Sequence, residues 1–321
     1  MTKRTYRIII LLVTTVMFIA GKDLYSQQDP HFTHYMFNRS IYNPANFGLD
    51  DGISVVGVFR NQWLGFKDPE GNIVSPVTVE ATADAPIRVL HGGVGFGIMQ
   101  DKLGFTSNLD VKLGYAFHAY IGNNILSIGA NVDLNNVSHD NSKYITTDNE
   151  PVNIGGSDKG TVVTDMAVGL IFKNPKYYVS LSSNKLLETK KDIEGQGAIA
   201  LKNRRHYYAN VGFNFTLPAY PNFVFMPTAL LYSDGKIFQA NIMAMAKYNN
   251  KIWGGIGYRF QDAINLIIGT EFNDIEIGYA FDLPISGLGI RTFGSHEIMM
   301  RYLFKIEKQK TNTGYRNTRF L

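Results

Sequence analysis

From Ile53 onward the chain repeats one pattern, in which apolar and polar residues alternate over segments of about ten positions. Val77, Val79, Ala81 and Ala83 fall on one side of such a segment, with Thr78, Glu80, Thr82 and Asp84 on the other. Leu109, Val111, Leu113, Tyr115 and Phe117 oppose Asp110, Lys112, Gly114, Ala116 and His118. Leu126, Ile128, Ala130, Val132 and Leu134 oppose Ser127, Gly129, Asn131 and Asp133, and Ile275, Ile277, Tyr279 and Phe281 oppose Glu276, Gly278, Ala280 and Asp282. Side chains of a strand point alternately to its two faces, so each segment has one apolar and one polar face. The pattern predicts about fourteen strands, near 53–63, 74–85, 92–101, 107–119, 124–134, 164–172, 176–185, 204–216, 222–232, 237–248, 251–260, 263–272, 274–282 and 295–305. The count is twelve if 92–101 or 176–185 is not a strand.

Alternation alone fits two all-β architectures. In a soluble sandwich the apolar faces meet in a core; in a membrane barrel they face lipid and the polar faces line a lumen. Strand length favours the barrel, because tilted membrane strands need about 9–11 residues whereas globular strands average roughly 5–6. Aromatic residues also gather towards strand ends, at Trp63, Tyr177, Tyr178, Tyr207, Tyr208, Trp253, Tyr302 and Phe304, as interfacial girdles do. The connections alternate too. Segments 64–73, 135–163, 186–203 and 283–294 are long, while 86–91, 120–123, 173–175, 217–221, Asn249-Asn250 and Asn273 are short. Tight turns at Ser233-Asp234-Gly235-Lys236 and Gln261-Asp262 are exceptions on the long side. Short turns face the periplasm in outer-membrane barrels, which puts the long loops outside and both termini in the periplasm.

The ends of the chain differ from this body. Lys3, Arg4 and Arg7 precede an apolar stretch from Ile8 to Ala20, followed by a small residue, Ser26, before Gln27. That is the layout of a signal peptide, residues 1–26. As a helix the stretch spans only about 20 Å, short of a roughly 30 Å hydrocarbon core. Residues 27–52 lack a strand pattern and carry Phe32, Tyr35, Phe37, Tyr42 and Phe47, so they read as a packed segment tucked into or under a barrel of residues 53–305. Such side chains bury about 150–250 Å² each, more than a solvated linker warrants. The expectation is that they close the periplasmic mouth or form a docking surface, with Asn43-Pro44 fixing the turn. Residues 306–321 form a basic periplasmic tail.

Composition narrows the chemistry. Aromatics at 13%, 31 glycines and 18% charged residues suit β-structure, and the absence of Cys removes disulfides and thiol catalysis. A net charge of +4 is modest and its cations are scattered, which argues against a nucleic-acid partner. Asp29, His31 and His34 offer three possible metal ligands without a helix to align them, and the Asp/Asn-rich stretch from Asp133 to Asp158 lacks the spacing of a calcium loop. Neither a nucleophile elbow nor a zinc-protease motif is present. Gly92-Gly93-Val94-Gly95-Phe96-Gly97 and Gly254-Gly255-Ile256-Gly257 alternate inside strands, where small residues let side chains or a plug approach the wall. No cofactor is implied and a non-enzymatic protein is expected. Arg60-Asn61-Gln62-Trp63 forms a rim cluster near the outer mouth, where Arg60 is placed to pair with an inward carboxylate such as Glu80.

Two stretches carry a family resemblance. Gln27-Gln28-Asp29-Pro30, His34-Tyr35-Met36-Phe37-Asn38, Tyr42-Asn43-Pro44-Ala45 and Arg60-Asn61-Gln62-Trp63 resemble the opening of the PorP/SprF family, outer-membrane proteins of the type IX secretion system of Bacteroidetes. Gly294-Ser295-His296-Glu297-Ile298, running into the last strand, resembles the family's closing segment. The resemblance implies an outer-membrane barrel assisting secretion or surface attachment of cargo, including gliding adhesins. Its implied partners are other secretion components, cargo bearing C-terminal signal domains, and outer-membrane lipid. The candidate residues are Asp29, Phe32, Tyr35, Phe37, Tyr42, Asn43 and Pro44 in the segment, and Arg60, Asn61, Gln62 and Trp63 at the rim. The rival reading is a passive porin or hydrophobic-solute transporter.

Overall fold

A computed structural model of the chain describes residues 29–68, 71–104, 106–139, 160–192, 200–287 and 292–306. The expected signal peptide and all of the expected tail after Ile306 lie outside the described residues. Among the described residues seventeen strands follow in chain order: β1 Gly52–Asn61, β2 Val77–Ile87, β3 Gly92–Leu103, β4 Thr106–Ile121, β5 Asn124–His139, β6 Thr161–Lys173, β7 Tyr177–Asn184, β8 Lys190–Asp192 and β9 Ala200–Lys202. The second half comprises β10 His206–Phe213, β11 Phe215–Leu217, β12 Tyr220–Ser233, β13 Phe238–Tyr248, β14 Ile252–Arg259, β15 Ala263–Phe272, β16 Ile275–Pro284 and β17 Ser295–Lys305.

Fifteen of these form one sheet in which every neighbour is antiparallel. β10 and β11 are two parts of one wall strand interrupted at Asn214, and both pair with β12, so the wall is a closed barrel of 14 strands. One seam joins the first strand to the last, from Gly52↔Lys305 to Asn61↔His296. β8 and β9 make a separate small hairpin within the β7–β10 connection. Strands 92–103 and 177–184 are both present, which removes the twelve-strand count.

One end carries the turns between β2 and β3, β4 and β5, β6 and β7, β11 and β12, β13 and β14, and β15 and β16; it is called the turn end here. Asn249-Asn250 and Asn273-Asp274 all adopt positive φ, between 48° and 67°. Paired left-handed residues of this kind let a two-residue turn follow the twist of its flanking strands, and Asn and Asp tolerate the geometry best. The opposite, loop end carries the longer β1–β2, β5–β6, β7–β10 and β16–β17 connections. Leu103–Thr106 is a tight exception on that side.

Burial is inverted relative to a soluble sandwich. Ile128 is 60% exposed and Leu113 65%, both on the outer wall, whereas Glu80, Asp282 and Glu297 on the inner face are at most 2% exposed. Apolar side chains therefore face outward and charged ones face the lumen, as a lipid-embedded barrel requires. Among the described residues no helix is long and apolar enough to cross a membrane. β4 and β5 run sixteen residues each, longer than the expected 9–11, so they project beyond an apolar band about 25 Å tall.

The aromatic girdle is only partly as the sequence suggests. Tyr177 and Tyr207 point outward, but Tyr178, Tyr208 and Trp253 are buried in the lumen. Tyr178 and Tyr208 are the inward members of Tyr-Tyr pairs, and Trp253 faces the interior because Ile252 takes the outward position beside it. Placing Arg at Ile128, on the outer wall, is expected to cost about 2–4 kcal/mol near the bilayer midplane. The heat-modifiable barrel band on gels should fall for Ile128→Arg and persist for Asn131→Ser on the lumen face. Equal yields of the two variants would reverse the assignment of faces.

Candidate functional site

Residues 29–51 carry no strand and run through the lumen from the loop end to the turn end. Proline shapes the path, because it supplies no N–H to a ladder and restricts the residue before it. The segment descends as a turn closed by Phe37 N–H on His34 O at 3.0 Å and two single-turn 3₁₀ helices, Arg39–Ile41 and Pro44–Asn46. Asn43 caps the second, its Oδ1 accepting Ala45 N–H at 2.8 Å, and Pro44 takes the first position, where a missing N–H costs nothing.

At the loop end the Asp29 carboxylate lies between the Lys185 ammonium and the His206 imidazole, and the Tyr208 hydroxyl donates to it at 3.3 Å. One layer deeper is a buried latch. Glu297 Oε1 accepts His34 N–H at 2.8 Å and His34 Nδ1–H at 2.7 Å; Oε2 accepts Thr33 N–H at 2.8 Å and Arg60 Nη1–H at 3.0 Å. All four acceptor positions of the carboxylate are thereby filled. The other Arg60 nitrogen donates to Asp282 Oδ2 at 2.7 Å, and Asn265 to Asp282 Oδ1 at 2.7 Å. The Thr33 hydroxyl donates to Asp282 at 2.7 Å and accepts from Arg259 at 3.1 Å. Two guanidinium groups thus balance two carboxylates, all 3% exposed or less.

Below the latch the contacts turn aromatic. His34 stands edge-on to Trp253 at 5.8 Å and Phe37 lies against the same ring at 4.6 Å. Tyr42 packs on Tyr208 at 5.2 Å and accepts Phe32 N–H on its hydroxyl; the Tyr35 hydroxyl meets Thr228 at 2.8 Å. Full burial of apolar side chains of this size contributes about 1.5–3 kcal/mol each. On the opposite wall Asn38 donates to both Glu80 oxygens at 2.8 Å, and Asn43 Nδ2 reaches Leu170 O, Ser180 Oγ and Leu181 O at 2.7–3.1 Å. Near the turn end Ser127 donates to Ala45 O, His118 Nε2 lies 3.0 Å from Phe47 O, and Asp84 accepts Gly48 N–H. Arg301 finally pairs with Asp50 at 2.7 Å.

Two glycines show how close this approach is. A Cβ on Gly169 would lie 1.8 Å from Asn43 Oδ1, and one on Gly95 would lie 2.0 Å from the Phe47 ring. Of the two glycine runs, 92–97 therefore makes room for the segment. Gly255 and Gly257 instead face their own neighbouring strands and Met243.

The structure brings Asp29, Phe32, Tyr35, Phe37, Tyr42, Asn43 and Pro44 into one interior column, and it corrects the expectation that they cap or dock at the turn end. Phe32, Tyr35, Tyr42 and Phe47 are each at most 5% exposed, so they present no docking surface. The rim cluster divides. Arg60 points inward and pairs with Asp282 and Glu297, not with Glu80, because Glu80 is taken by Asn38. Asn61, Gln62 and Trp63 stay at the rim: Asn61 pairs with His296, Gln62 N–H bonds Pro76 O, and Trp63 (φ 51°) donates its N–H to Ser295 Oγ at 3.1 Å. Asp29, His31 and His34 turn to three separate partners, His31 lying edge-on to the Tyr232 ring. Sequence reasoning missed Thr33, Arg259 and the pairing of Asp282 and Glu297 with Arg60; alternation gives a residue's face but not its neighbour across the lumen.

Residues 24–302 match the family described as type IX secretion system membrane protein PorP/SprF. Among solved structures, the P. putida toluene transporter TodX is similar at 11% identity over 83% of this chain and 93% of that one, with a TM-score of 0.44. The Ralstonia pickettii toluene transporter TbuX gives 13%, 83%, 93% and 0.43 in the same order. The Acinetobacter baumannii outer membrane protein Omp33 gives 10%, 80%, 100% and 0.43. No curated protein matches the chain.

Removing one partner of a buried ion pair strands the other, at a cost of about 3–5 kcal/mol. Arg60→Ala is therefore expected to lower the unfolding temperature of the purified barrel strongly. Gln62→Ala, two residues away at the rim, should stay within about 0.5 kcal/mol. Equal losses in thermal melts of the two variants would show that the latch does not stabilise the fold.

Proposed function

Because the chain belongs to the PorP/SprF family of type IX secretion system membrane proteins, we propose that it serves secretion as a plugged outer-membrane barrel, an anchor and docking platform for other secretion components and for cargo delivered to the cell surface. The observation that carries this reading is the continuous interior column of residues 29–51, latched by Arg60, Asp282 and Glu297. A lumen occupied by its own chain from end to end suits a platform better than a conduit. In this reading the long-loop end faces outward and the turn end faces the periplasm, following the loop asymmetry of outer-membrane barrels. Interaction surfaces then lie on the two ends of the barrel, since the segment's own aromatic side chains are consumed inside.

The chemistry proposed is non-enzymatic. The buried His, Asp and Glu side chains described above are engaged with arginines, Lys185, Asn38, backbone N–H groups and aromatic rings, which is the arrangement of a structural network. The passive-transporter reading requires the segment to leave the lumen, and every contact described above opposes that departure.

Planar-bilayer recordings test the proposal. The intact protein should give no steady current. A variant lacking residues 29–47 should give a measurable conductance, provided its barrel is heat-modifiable. The same deletion should reduce surface display of the exported proteins in whole cells. Steady open-channel current from the intact protein would favour the transporter instead.

A further inference from the structure

The direction in which residues 29–51 are threaded fixes where the preceding chain must go. Asp29 is clasped by Lys185, just beyond the end of β7, and by His206, the first residue of β10, both at the loop end. His31 meets Tyr232, one residue from the loop end of β12. Thr33 and His34 meet Asp282 and Glu297, each two residues from the loop end of its strand. Asn43 lies against Leu170 and Leu181, lower on the wall, and Leu49 O accepts from Lys173 at the last position of β6, at the turn end. The segment thus enters at the loop end and finishes at the turn end, and β1 then climbs back in the wall.

A chain arriving at Asp29 has one way in. Below it the lumen is filled by residues 31–49 of the same segment. Beside it the wall is sealed, since His206 pairs with Asn184 and β10 continues in register with both β7 and β12. A barrel wall leaves no unpaired edge through which backbone can pass into lipid. From these constraints we infer that the polypeptide joins Asp29 through the loop-bearing mouth, so that this end of the segment is displayed on the outer face beside the long loops, whereas Ile306 lies at the opposite, turn end. Asp29 and Ile306 therefore lie at opposite ends of the barrel, against the expectation that both ends of the chain are periplasmic. An N-terminal extension of this chain would be a surface element, available to partners outside the cell.

The outward orientation of the loop end rests on the proposed function; the exit through the loop-bearing mouth does not, and the test separates them. The chain has no Cys, so single Cys substitutions report accessibility without background. Gln28→Cys, Asn72→Cys in the exposed β1–β2 connection and Asn250→Cys in an exposed turn are each expressed, checked for heat-modifiability, and treated on intact cells with a membrane-impermeant maleimide, then again after permeabilisation. Gln28→Cys should label on intact cells together with Asn72→Cys, with Asn250→Cys labelling only after permeabilisation. Gln28→Cys behaving like Asn250→Cys would overturn the inferred exit. Asn72→Cys and Asn250→Cys exchanging their behaviour would reverse the orientation instead, and with it the surface display. If substitution at Gln28 disturbs assembly, an epitope inserted between Gln28 and Asp29 and read by antibody on intact cells is judged by the same comparison.

Discussion

The structure depends on how two carboxylates and two guanidinium groups are held together inside a closed wall. A charge moved from water into a protein interior costs several kcal/mol unless opposite charge and hydrogen bonds replace its hydration. Glu297 meets that demand with four donors, three of them from Thr33 and His34 of the interior segment. Asp282 likewise depends on the Thr33 hydroxyl. Without the segment these carboxylates would have to be hydrated by lumen water, and without the wall the segment would expose a column of aromatic side chains to water. Each is the other's solvent.

The lumen is divided accordingly. One side, from β12 round to β1, carries the charged latch and, with Met243, Met245, Trp253, Ile267, Met299, Val56 and Val58, most of a continuous apolar cluster with Phe32, Tyr35, Met36 and Tyr42. The other side, β2 to β7, contributes Glu80, Thr82, Asp110, Asn131, Asp133 and Asp165, all nearly inaccessible. The segment is matched to both sides. Phe32, Tyr35 and Tyr42 face the apolar cluster, whereas Asn38, Asn43 and Phe47 face the polar half. The outer wall is predominantly apolar and carries none of this division, because lipid favours apolar surface.

The architecture was legible in the sequence because the lipid face enforces period-two alternation along every strand. Loop asymmetry and Asn-rich turns were legible for similarly local reasons. The interior was harder to read. Trp253 and Tyr208 were assigned to girdles because an aromatic residue near a strand end has the same local pattern whether it points outward or inward; one position of register decides. The partner of Arg60 was misplaced onto Glu80 although both lie on inward faces, since a lumen brings many inward residues within reach and the segment decides which remain free. Asn38 took Glu80 and so left Arg60 to Glu297 and Asp282. The path of residues 27–52 was the least legible, because a chain that bonds to walls on all sides obeys no period of its own.

The position of the latch connects packing to assembly. Arg60 and Glu297 are direct cross-strand partners in the seam between β1 and β17, the contact that joins the two ends of the chain and closes the barrel. The same two side chains hold Thr33 and His34, so closure of the wall and seating of the segment share atoms. A segment carrying Phe32, Tyr35, Phe37 and Tyr42 cannot be passed through a sealed wall whose glycines already touch it; it has to be in place when β17 meets β1. Opposite-charge pairs directly across an antiparallel ladder add only modestly to pairing by themselves. Here the pair has its remaining hydrogen-bonding positions filled only when the segment is present, and an incompletely paired buried carboxylate is costly. The last seam of this barrel is therefore strengthened by a seated segment, which couples closure of the wall to occupation of the lumen.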